Sequence, residues 1–303
     1  MIKLTTLAIR DRYLRYAVAS MKSLHRFFGD TVDYVVFFGW ANTPDYDVPE
    51  WIKLVNIEDF AAERDTIHYE TGKPVENAEE YYLGTRYAAR DMKSIPLVHP
   101  VCDGSDVVFF DADTIAFDSG VVNLVAEVNQ SDFYCVRGKK KDEDRFLKRG
   151  GRFYSFQDYK NAVARHDYTI TQNIYTHAGL MGRKSNDIGL KISKHFERLL
   201  CEKPLLWPRE RSYFGDEHYL NIAFQCTEGV AQAHLPTEAP ANNLFYATTK
   251  SPVSHGGIDE SPVFKHHDGS LIKPSMVHFV EQKQEFYLSC LNAYGVLNGT
   301  DPE

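Results

Sequence analysis

Alternating apolar and amphipathic stretches predict an α/β fold for this chain. Residues 2–9 form an apolar run typical of a buried strand, and residues 13–28 carry apolar side chains three or four positions apart, which makes one helical stripe. Strand-like runs follow at residues 32–38 and 53–57. This β-α-β-β order is typical of the nucleotide-binding layer of α/β proteins.

The later sequence continues the alternation. It predicts a polar surface excursion over 60–80, a helix over 81–95, strands over 107–110, 132–136 and 176–182, helices over 188–200 and 216–224, a loop-rich region with short strands over 227–280, and a last helix over 285–297. The sequence has no internal repeat and no flexible linker. We therefore expect a single domain over 1–285, followed by a helix and tail over 286–303.

The stretch from Val107 to Thr114 carries the strongest chemical signal. Four apolar residues run directly into Asp111 and Asp113, which lie where a buried strand leaves the core. Alternate residues of a strand share a face, so the two carboxylates repel each other unless a cation lies between them. Mg²⁺ or Mn²⁺ satisfies that need and often bridges carboxylates to phosphate. The alternative is a polar turn after a core strand.

Composition narrows the class of partner and the compartment. The 303 residues carry a formal net charge of -8, which argues against a nucleic-acid partner. No apolar run approaches the ~20 residues that a membrane span needs. The sequence starts without a signal-peptide pattern, and its five scattered cysteines contain no CxxC pair. We therefore expect reduced thiols and a cytoplasmic location, with peripheral attachment to a membrane left open.

Four segments together resemble the family 8 branch of the GT-A-fold glycosyltransferases. Phe109-Phe110-Asp111-Ala112-Asp113 resembles the DxD motif of that fold. Three later segments, residues 176–182, 213–221 and 277–283, are similar to the Asn-Ala-Gly strand, the Asp-Gln-Asp-x-Leu-Asn segment and the His-aromatic…Lys element of the branch, in the same order. The chain departs from the branch in having His177 for Asn, Glu217-His218 for Gln-Asp, and a last element that is one residue short and lacks its Gly.

The resemblance implies a fold and a reaction. The fold is GT-A, a Rossmann-like nucleotide-binding layer with a mixed central sheet. Residues 1–118 would bind a nucleotide sugar, with a UDP-sugar the expected donor, and residues 119–285 would bind a glycan, glycolipid or protein acceptor. The reaction would be metal-dependent transfer of a hexosyl or pentosyl group. The transferred sugar, the stereochemical outcome and the oligomeric state stay open.

The resemblance also implies metal and nucleotide ligands. Asp111, Asp113 and His278 would hold Mn²⁺ or Mg²⁺, and Asp111 is also suited to the ribose; His278 could equally be a hydrogen-bonded histidine beside a strand. Lys283 could pair with the diphosphate, or lie on a solvated surface. Arg86 and Arg90 lie four residues apart on one face of the predicted helix over 81–95 and could also bind the diphosphate or the donor sugar, or form a solvated helix face. Arg90 is the favoured of the two because it is nearer to Asp111 in the sequence. The remaining expected nucleotide or sugar contacts are Ala8, Arg10, Tyr13, Ala112 and Gly179.

Two acids are the expected catalytic residues. Asp216 would cap a helix and could also bind a sugar hydroxyl. Glu217 could be the base that deprotonates the acceptor in an inverting enzyme, or the nucleophile or charge stabiliser in a retaining one. The alternative is that Glu217 has only a structural role in the first turn of the helix, where its negative charge interacts favourably with the positive end of the helix dipole.

Three other functions compete with transfer. The stretch Phe-Phe-Asp-Ala-Asp-Thr also fits haloacid-dehalogenase-like phosphatases, with Asp111 as the nucleophile, but their late Gly-Asp-x-x-x-Asp would put Leu220 in place of the last acid. A nucleotidyltransferase normally has a glycine-rich loop after the first strand, and residues 8–12 contain no glycine. A catalytically dead sugar-binding protein would not need the intact acids.

Overall fold

The computed structural model describes residues 1–42, 44–69, 71–84, 88–137, 156–171, 176–203, 216–227, 245–265, 269–280 and 284–297. These residues fall into two compact units. Unit 1 comprises Met1–Ile57, Asp106–Gln130 and Ala239–Glu303, and unit 2 comprises Glu58–Ser105 and Ser131–Glu238. In the described part of the chain, no helix is long and apolar enough to cross a membrane.

The strands and helices alternate along most of the chain. The strands are β1 Ile2–Ile9, β2 Asp33–Gly39, β3 Ile52–Asn56, β4 Asp106–Phe110, β5 Thr114–Ala116, β6 Phe133–Arg137, β7 Thr176–Arg183, β8 Phe245–Thr248, β9 Phe264–Lys265, β10 Leu271–Ile272 and β11 Met276–Phe279. The helices are α1 Asp11–Phe28, α2 Glu58–Ala62, α3 Ala78–Gly84, α4 Ile95–Val98, α5 Gly120–Val128, α6 Phe156–Ala164, α7 Asp187–Glu202, α8 Asp216–Cys226 and α9 Glu285–Ala293. Short 3₁₀ turns span Gly29–Thr31, Ala88–Met92 and Pro100–Cys102.

Four parallel strands form the centre of unit 1. β1 pairs with β2 on one side and β4 on the other, and β2 pairs with β3, all in parallel. Parallel strands are buried on both faces, which explains the continuous apolar runs of β2 and β4. All strands of such a sheet end at the same edge, so Arg10 after β1, Trp40 after β2 and Asp111 after β4 mark one rim of unit 1. The α/β class predicted from the sequence is confirmed.

Helix α1 forms as the apolar stripe predicts. Leu14, Ala17, Val18, Met21 and Leu24 are all buried at helical spacing. Asp11 lies in the first turn, and the basic residues His25 and Arg26 lie in the last turn. This distribution of acidic and basic side chains interacts favourably with the helix dipole. The helix ends at Gly29, whose φ of 50° suits a residue without a Cβ.

A second, three-stranded sheet and α9 complete the described core of unit 1. β11 pairs antiparallel with β5 and parallel with β8. Helix α9 packs Tyr287, which is fully buried, against the rings of Phe279 and Tyr16. The predicted end of this helix at residue 297 is wrong, because it ends at Ala293 and Gly295 follows with a φ of 67°. The predicted short strands between 227 and 280 are confirmed within the described residues.

Unit 2 is built on the antiparallel pair β6–β7 and the helices α7 and α8. The register of the pair shifts between Cys135 and Val136, which pair with Met181 and His177. Arg183 at the end of β7 is almost completely buried, and its guanidinium donates to the backbone carbonyls of Leu97, Cys102 and Ser105 at 2.6–3.1 Å. A cation that satisfies three buried carbonyls fixes the chain between α4 and residue 105 to β7.

Two sequence predictions in unit 2 are wrong. The single helix over 81–95 is divided into α3, the 3₁₀ turn Ala88–Met92 and α4, which has Pro96 in its first turn. The stretch 60–80 is not a mere surface excursion, because Arg64 and Thr66 are hydrogen-bonded inside the unit. Two short helices, α5 in unit 1 and α6 in unit 2, are also absent from the elements predicted from the sequence.

Candidate functional site

Three potential metal ligands converge in unit 1. The Nε2 atom of His278 lies 3.1 Å from Oδ1 of Asp113 and 3.5 Å from Oδ2 of Asp111. One ligand atom from each residue lies within 4.8 Å of the other two. The side chains are between 8% and 15% exposed, so the cluster is largely shielded but reachable. This is the ligand set predicted from the sequence, brought together from two distant segments.

Local backbone geometry explains the convergence. Asp111 ends the buried run of β4, and Asp113 precedes β5. The Thr114 hydroxyl donates to the Asp111 carbonyl at 2.7 Å and is 3.1 Å from the Ser20 hydroxyl, which ties the turn to α1. On the other side, β11 pairs His278 with Thr114, and the Phe279 amide donates to the Asp113 carbonyl at 2.8 Å. The pairing of β11 with β5 thus sets the histidine beside both acids.

The donor set fits a divalent cation. Two carboxylates held close together repel, and a cation between them removes that cost. Carboxylate oxygens suit both Mg²⁺ and Mn²⁺, whereas an imidazole nitrogen favours Mn²⁺. Asp111, Asp113 and His278 can therefore hold a divalent cation.

The rim after β1 carries an unusual backbone conformation. Arg10 has φ 79° and ψ 160°, a region that residues with a Cβ rarely occupy, and its amide donates to the carbonyl of Gly39 at 3.0 Å. Trp40, at the end of the neighbouring strand, also has a positive φ of 51°. Backbone strain of this kind is often concentrated at ligand sites in proteins, and the nucleotide contact at Arg10 stays a prediction.

The other predicted nucleotide contacts in unit 1 differ in exposure. Tyr13 is 37% exposed and turns its ring edge-on to Tyr16 at 5.8 Å, so its outer face can stack on a base. Ala8 is fully buried and Ala112 nearly so, which leaves mainly their backbone for a ligand. Lys283 lies outside the described residues.

A charged cluster surrounds Asp216 in unit 2. The Asp216 carboxylate is 5% exposed, and its Oδ2 lies 3.2 Å from Nζ of Lys93. Burial by itself would raise the pKa of this carboxyl, but Lys93, Arg90 and His177 overcome that effect and lower the pKa below its ordinary value. Asp216 is therefore ionised at neutral pH.

The sequence does not predict that Lys93 belongs to this cluster. The four-residue period of the predicted helix places Arg90 on one face with Arg86 instead. The chain forms a 3₁₀ turn over Ala88–Met92 instead, and Lys93, directly after the turn, donates its backbone amide to the carbonyl of Arg90 at 3.2 Å. The three-residue spacing of the two cations was the available signal. Arg86 lies outside the described residues.

Glu217 and Gly179 occupy the same unit. Glu217 is half-buried in the first turn of α8, and its backbone carbonyl accepts a 2.7 Å hydrogen bond from the Thr176 hydroxyl of β7. Gly179 is buried, and its amide donates to Nδ1 of His177 at 3.1 Å. The motif residues 213–215 before α8 lie outside the described residues.

Solved glycosyltransferases share the architecture of the chain. A crystal structure of the galactosyltransferase LgtC in complex with donor and acceptor sugar analogues has a TM-score of 0.53 at 10% identity, covering 99% of this chain and 98% of LgtC. An active-site mutant of LgtC has a TM-score of 0.51 at 13% identity, with the same shares covered. The chain has the GT-A fold. The predicted fold is thereby confirmed.

A larger glycosyltransferase contains the same fold as one part. The apo structure of the bifunctional glycosyltransferase WbbM matches with a TM-score of 0.54 at 15% identity, over 97% of this chain and 49% of WbbM. No protein-family model and no curated protein match the sequence. These GT-A structures are all glycosyltransferases and give no support to the phosphatase alternative.

Proposed function

We propose that the protein is a metal-dependent glycosyltransferase that moves a sugar from a UDP-sugar to a glycan, glycolipid or protein acceptor. The observation that carries the proposal is the convergence of Asp111, Asp113 and His278 in a chain with the GT-A fold. Asp111, Asp113 and His278 would hold the cation, which would supply positive charge opposite the departing nucleoside diphosphate. No other described cluster of His, Cys, Asp and Glu has metal-binding geometry.

The rim of unit 1 would bind the nucleoside. Tyr13 offers an exposed ring for stacking on the base, and the exposed Arg10 directly follows β1 at the same rim. Asp111 would contact the ribose or the cation, with the backbone of Ala112 beside it, and Lys283 would pair with the diphosphate. Each of these groups interacts with a part common to UDP-sugars, so they set affinity for the nucleotide and not the choice of sugar.

Unit 2 would supply the groups that bind and activate sugars. The ionised Asp216 accepts hydrogen bonds, and Arg90 and Lys93 donate them, which suits the hydroxyls of a sugar. The glycine at 179 lets a sugar approach the backbone of β7. Glu217 is the candidate base for the acceptor hydroxyl, or the group that stabilises the developing positive charge of the donor sugar.

Calorimetric titration tests the proposal directly. The protein is titrated with UDP, GDP and CDP, each in Mn²⁺ and again in EDTA. We expect Mn²⁺-dependent binding of UDP that is lost in Asp113→Ala. The control is Asp33→Ala, which removes an aspartate at the start of β2, the end of the strand away from the rim. This variant should leave binding unchanged. Failure of all three nucleotides to bind the folded protein would overturn the proposal.

A turnover assay then identifies the donor. UDP release is followed with UDP-glucose, UDP-galactose and UDP-N-acetylglucosamine, with and without simple glycoside acceptors. Mn²⁺-dependent release from one donor supports transfer. Binding of sugars without metal and without turnover would instead favour a sugar-binding protein.

A further inference from the structure

The segment that carries Arg90 and Lys93 also contains one partner of a buried ion pair, Asp91. The carboxylate of Asp91 and the ammonium of Lys203 are both 0% exposed, and Nζ of Lys203 lies 3.0 Å from Oδ2 of Asp91. The Tyr81 hydroxyl donates a 2.6 Å hydrogen bond to the same Oδ2 atom. A buried ion pair gains little net stability over apolar side chains of the same size, because both charges lose their hydration. Its presence therefore suggests a role in fixing a conformation.

Lys203 adopts a conformation that usually belongs to glycine. It follows α7 with φ 45° and ψ 54°, the left-handed geometry of a helix end. A glycine would adopt this geometry at lower cost, but it would leave Asp91 without its cation. The ion pair with Asp91 thus explains why a lysine, and not a glycine, follows α7.

A second ion pair holds the same segment through its backbone. Arg64 donates from Nη2 to the carbonyl of Asp91 at 2.8 Å and forms a two-pronged pair with Glu197, with distances of 2.7 and 3.1 Å. The hydroxyl of Ser94 donates to Glu197 as well. Both ends of the stretch 91–94 are therefore tied to α7, independently of the cluster at Asp216.

The segment itself has little intrinsic stability. Ala88–Met92 is a 3₁₀ turn, and such turns are short and poorly hydrogen-bonded. Arg90 and Lys93 lie on either side of the anchored residue and act on Asp216 in the same unit. A small displacement of the turn would separate Nζ of Lys93 from the Asp216 carboxylate, 3.2 Å away.

We infer that the Asp91–Lys203–Tyr81 cluster is a positioning device that holds Arg90 and Lys93 in register with Asp216 for sugar binding. Asp91, Lys203 and Tyr81 act through these neighbours and do not themselves touch the substrate. The part that concerns sugar binding rests on the proposed function, whereas the anchoring of residues 88–94 does not.

The principal test replaces both charged side chains of the pair, so that neither charge is left buried without its partner. Asp91→Asn combined with Lys203→Met preserves volume and keeps an acceptor for Tyr81. A milder variant, Tyr81→Phe, removes one hydrogen bond and keeps the ion pair. The matched control is Thr227→Val, which removes the 3.0 Å hydrogen bond between Thr227 and His195 of α7, a buried polar contact elsewhere in unit 2.

Two measurements separate the inference from the proposed function. Hydrogen exchange of the free protein, read by mass spectrometry, reports on residues 88–94, and kcat/KM for UDP release from the accepted UDP-sugar reports on the site. We expect the double variant to lose about tenfold or more in both protection and kcat/KM, since small misplacements of binding groups lower rates steeply. Tyr81→Phe should lose less, and Thr227→Val should lower the Tm and change neither.

Each outcome decides one statement. Unchanged exchange at residues 88–94 in the double variant would overturn the anchoring role. Increased exchange with unchanged kcat/KM would overturn the link to sugar binding. If the unaltered protein releases no UDP from any donor, the proposed function and that link fail together, while the exchange result still decides the anchoring role.

Discussion

Nε2 of His278 in β11 lies 3.1 Å from Oδ1 of Asp113, the residue directly before the antiparallel partner strand β5. The contact depends on one register, in which His278 pairs with Thr114 and the Phe279 amide donates to the Asp113 carbonyl. A one-residue slip would turn His278 to the other face of the sheet. The geometry of the three ligands therefore depends on the register between β11 and β5.

Removing one metal ligand should separate stability from metal response. In Asp113→Asn, one of two neighbouring negative charges is lost, so the Tm in EDTA should equal or exceed that of the unaltered protein. The increase in Tm on addition of Mn²⁺ should be abolished, because binding to the folded state is what stabilises it. Thermal unfolding in EDTA and in Mn²⁺ measures both.

A control and a second variant sharpen the metal prediction. His278→Ala should retain part of the Mn²⁺ response, since both carboxylates remain. Asp33→Ala should respond to Mn²⁺ as the unaltered protein does. A full Mn²⁺ shift in Asp113→Asn would contradict the assignment of this residue as a ligand.

Replacing Glu217 by Gln should affect turnover more than donor affinity. The backbone of Glu217 is held by Thr176 whatever its side chain, so the glutamine variant should fold normally. If Glu217 transfers a proton or stabilises charge in the transition state, kcat should fall by about a hundredfold or more with little change in KM. Steady-state kinetics of UDP release give both constants. Equal losses in kcat and in donor affinity would instead indicate a structural role at the start of α8.

The buried His195 should make stability depend on pH. Burial, together with the positive charge of Arg198, lowers the pKa of His195 to about 4 from an ordinary value of 6.5. Between these values the unfolded chain binds a proton that the folded one does not, so the free energy of unfolding should fall as the pH drops from 6.5 towards 4. Above 6.5 this histidine should have no effect.

The variant His195→Gln isolates that contribution. Urea unfolding at pH 7.5, 6 and 5 should show a smaller acid loss for His195→Gln than for the unaltered protein. A matched control is His25→Gln, whose half-exposed ring stacks on Trp51. Identical pH profiles for His195→Gln and the unaltered protein would contradict the prediction.

Gly189→Ala should destabilise the protein although it lies inside a helix. Helix propensity favours alanine over glycine by about 1 kcal/mol. A Cβ at Gly189, however, would lie 2.5 Å from the carbonyl oxygen of Asp132 and 2.6 Å from that of Lys184, both of them backbone atoms. We expect a net loss of about 2 kcal/mol in the free energy of unfolding, as is typical of overpacking.

Urea unfolding measures the effect of Gly189→Ala. Gly84→Ala in α3 is the matched control, since a Cβ there meets no atom within 4 Å. It should be neutral or stabilising. A stabilised Gly189→Ala variant would contradict the close approach of α7 to the chain at Asp132.

The sequence alone determined the elements whose signal is local. The stripe of α1, the apolar run of β4 and the acids that follow it depend on neighbours a few positions apart, and period and composition encode them directly. The same signals placed Asp111 and Asp113 on one rim. The third metal ligand, His278, and the GT-A fold came from the resemblance of four ordered motifs to a known branch of glycosyltransferases, and not from periodicity.

Only the tertiary structure decided which distant groups meet. The period that predicted one helix over 81–95 paired Arg90 with Arg86. The chain instead forms a 3₁₀ turn over Ala88–Met92, and Lys93, directly after this turn, lies beside Asp216. The partners Asp91 and Lys203 come from separate elements and share no sequence pattern. Such contacts follow from strand register and side-chain packing across the fold, which depend on the whole chain and leave no local periodicity to detect.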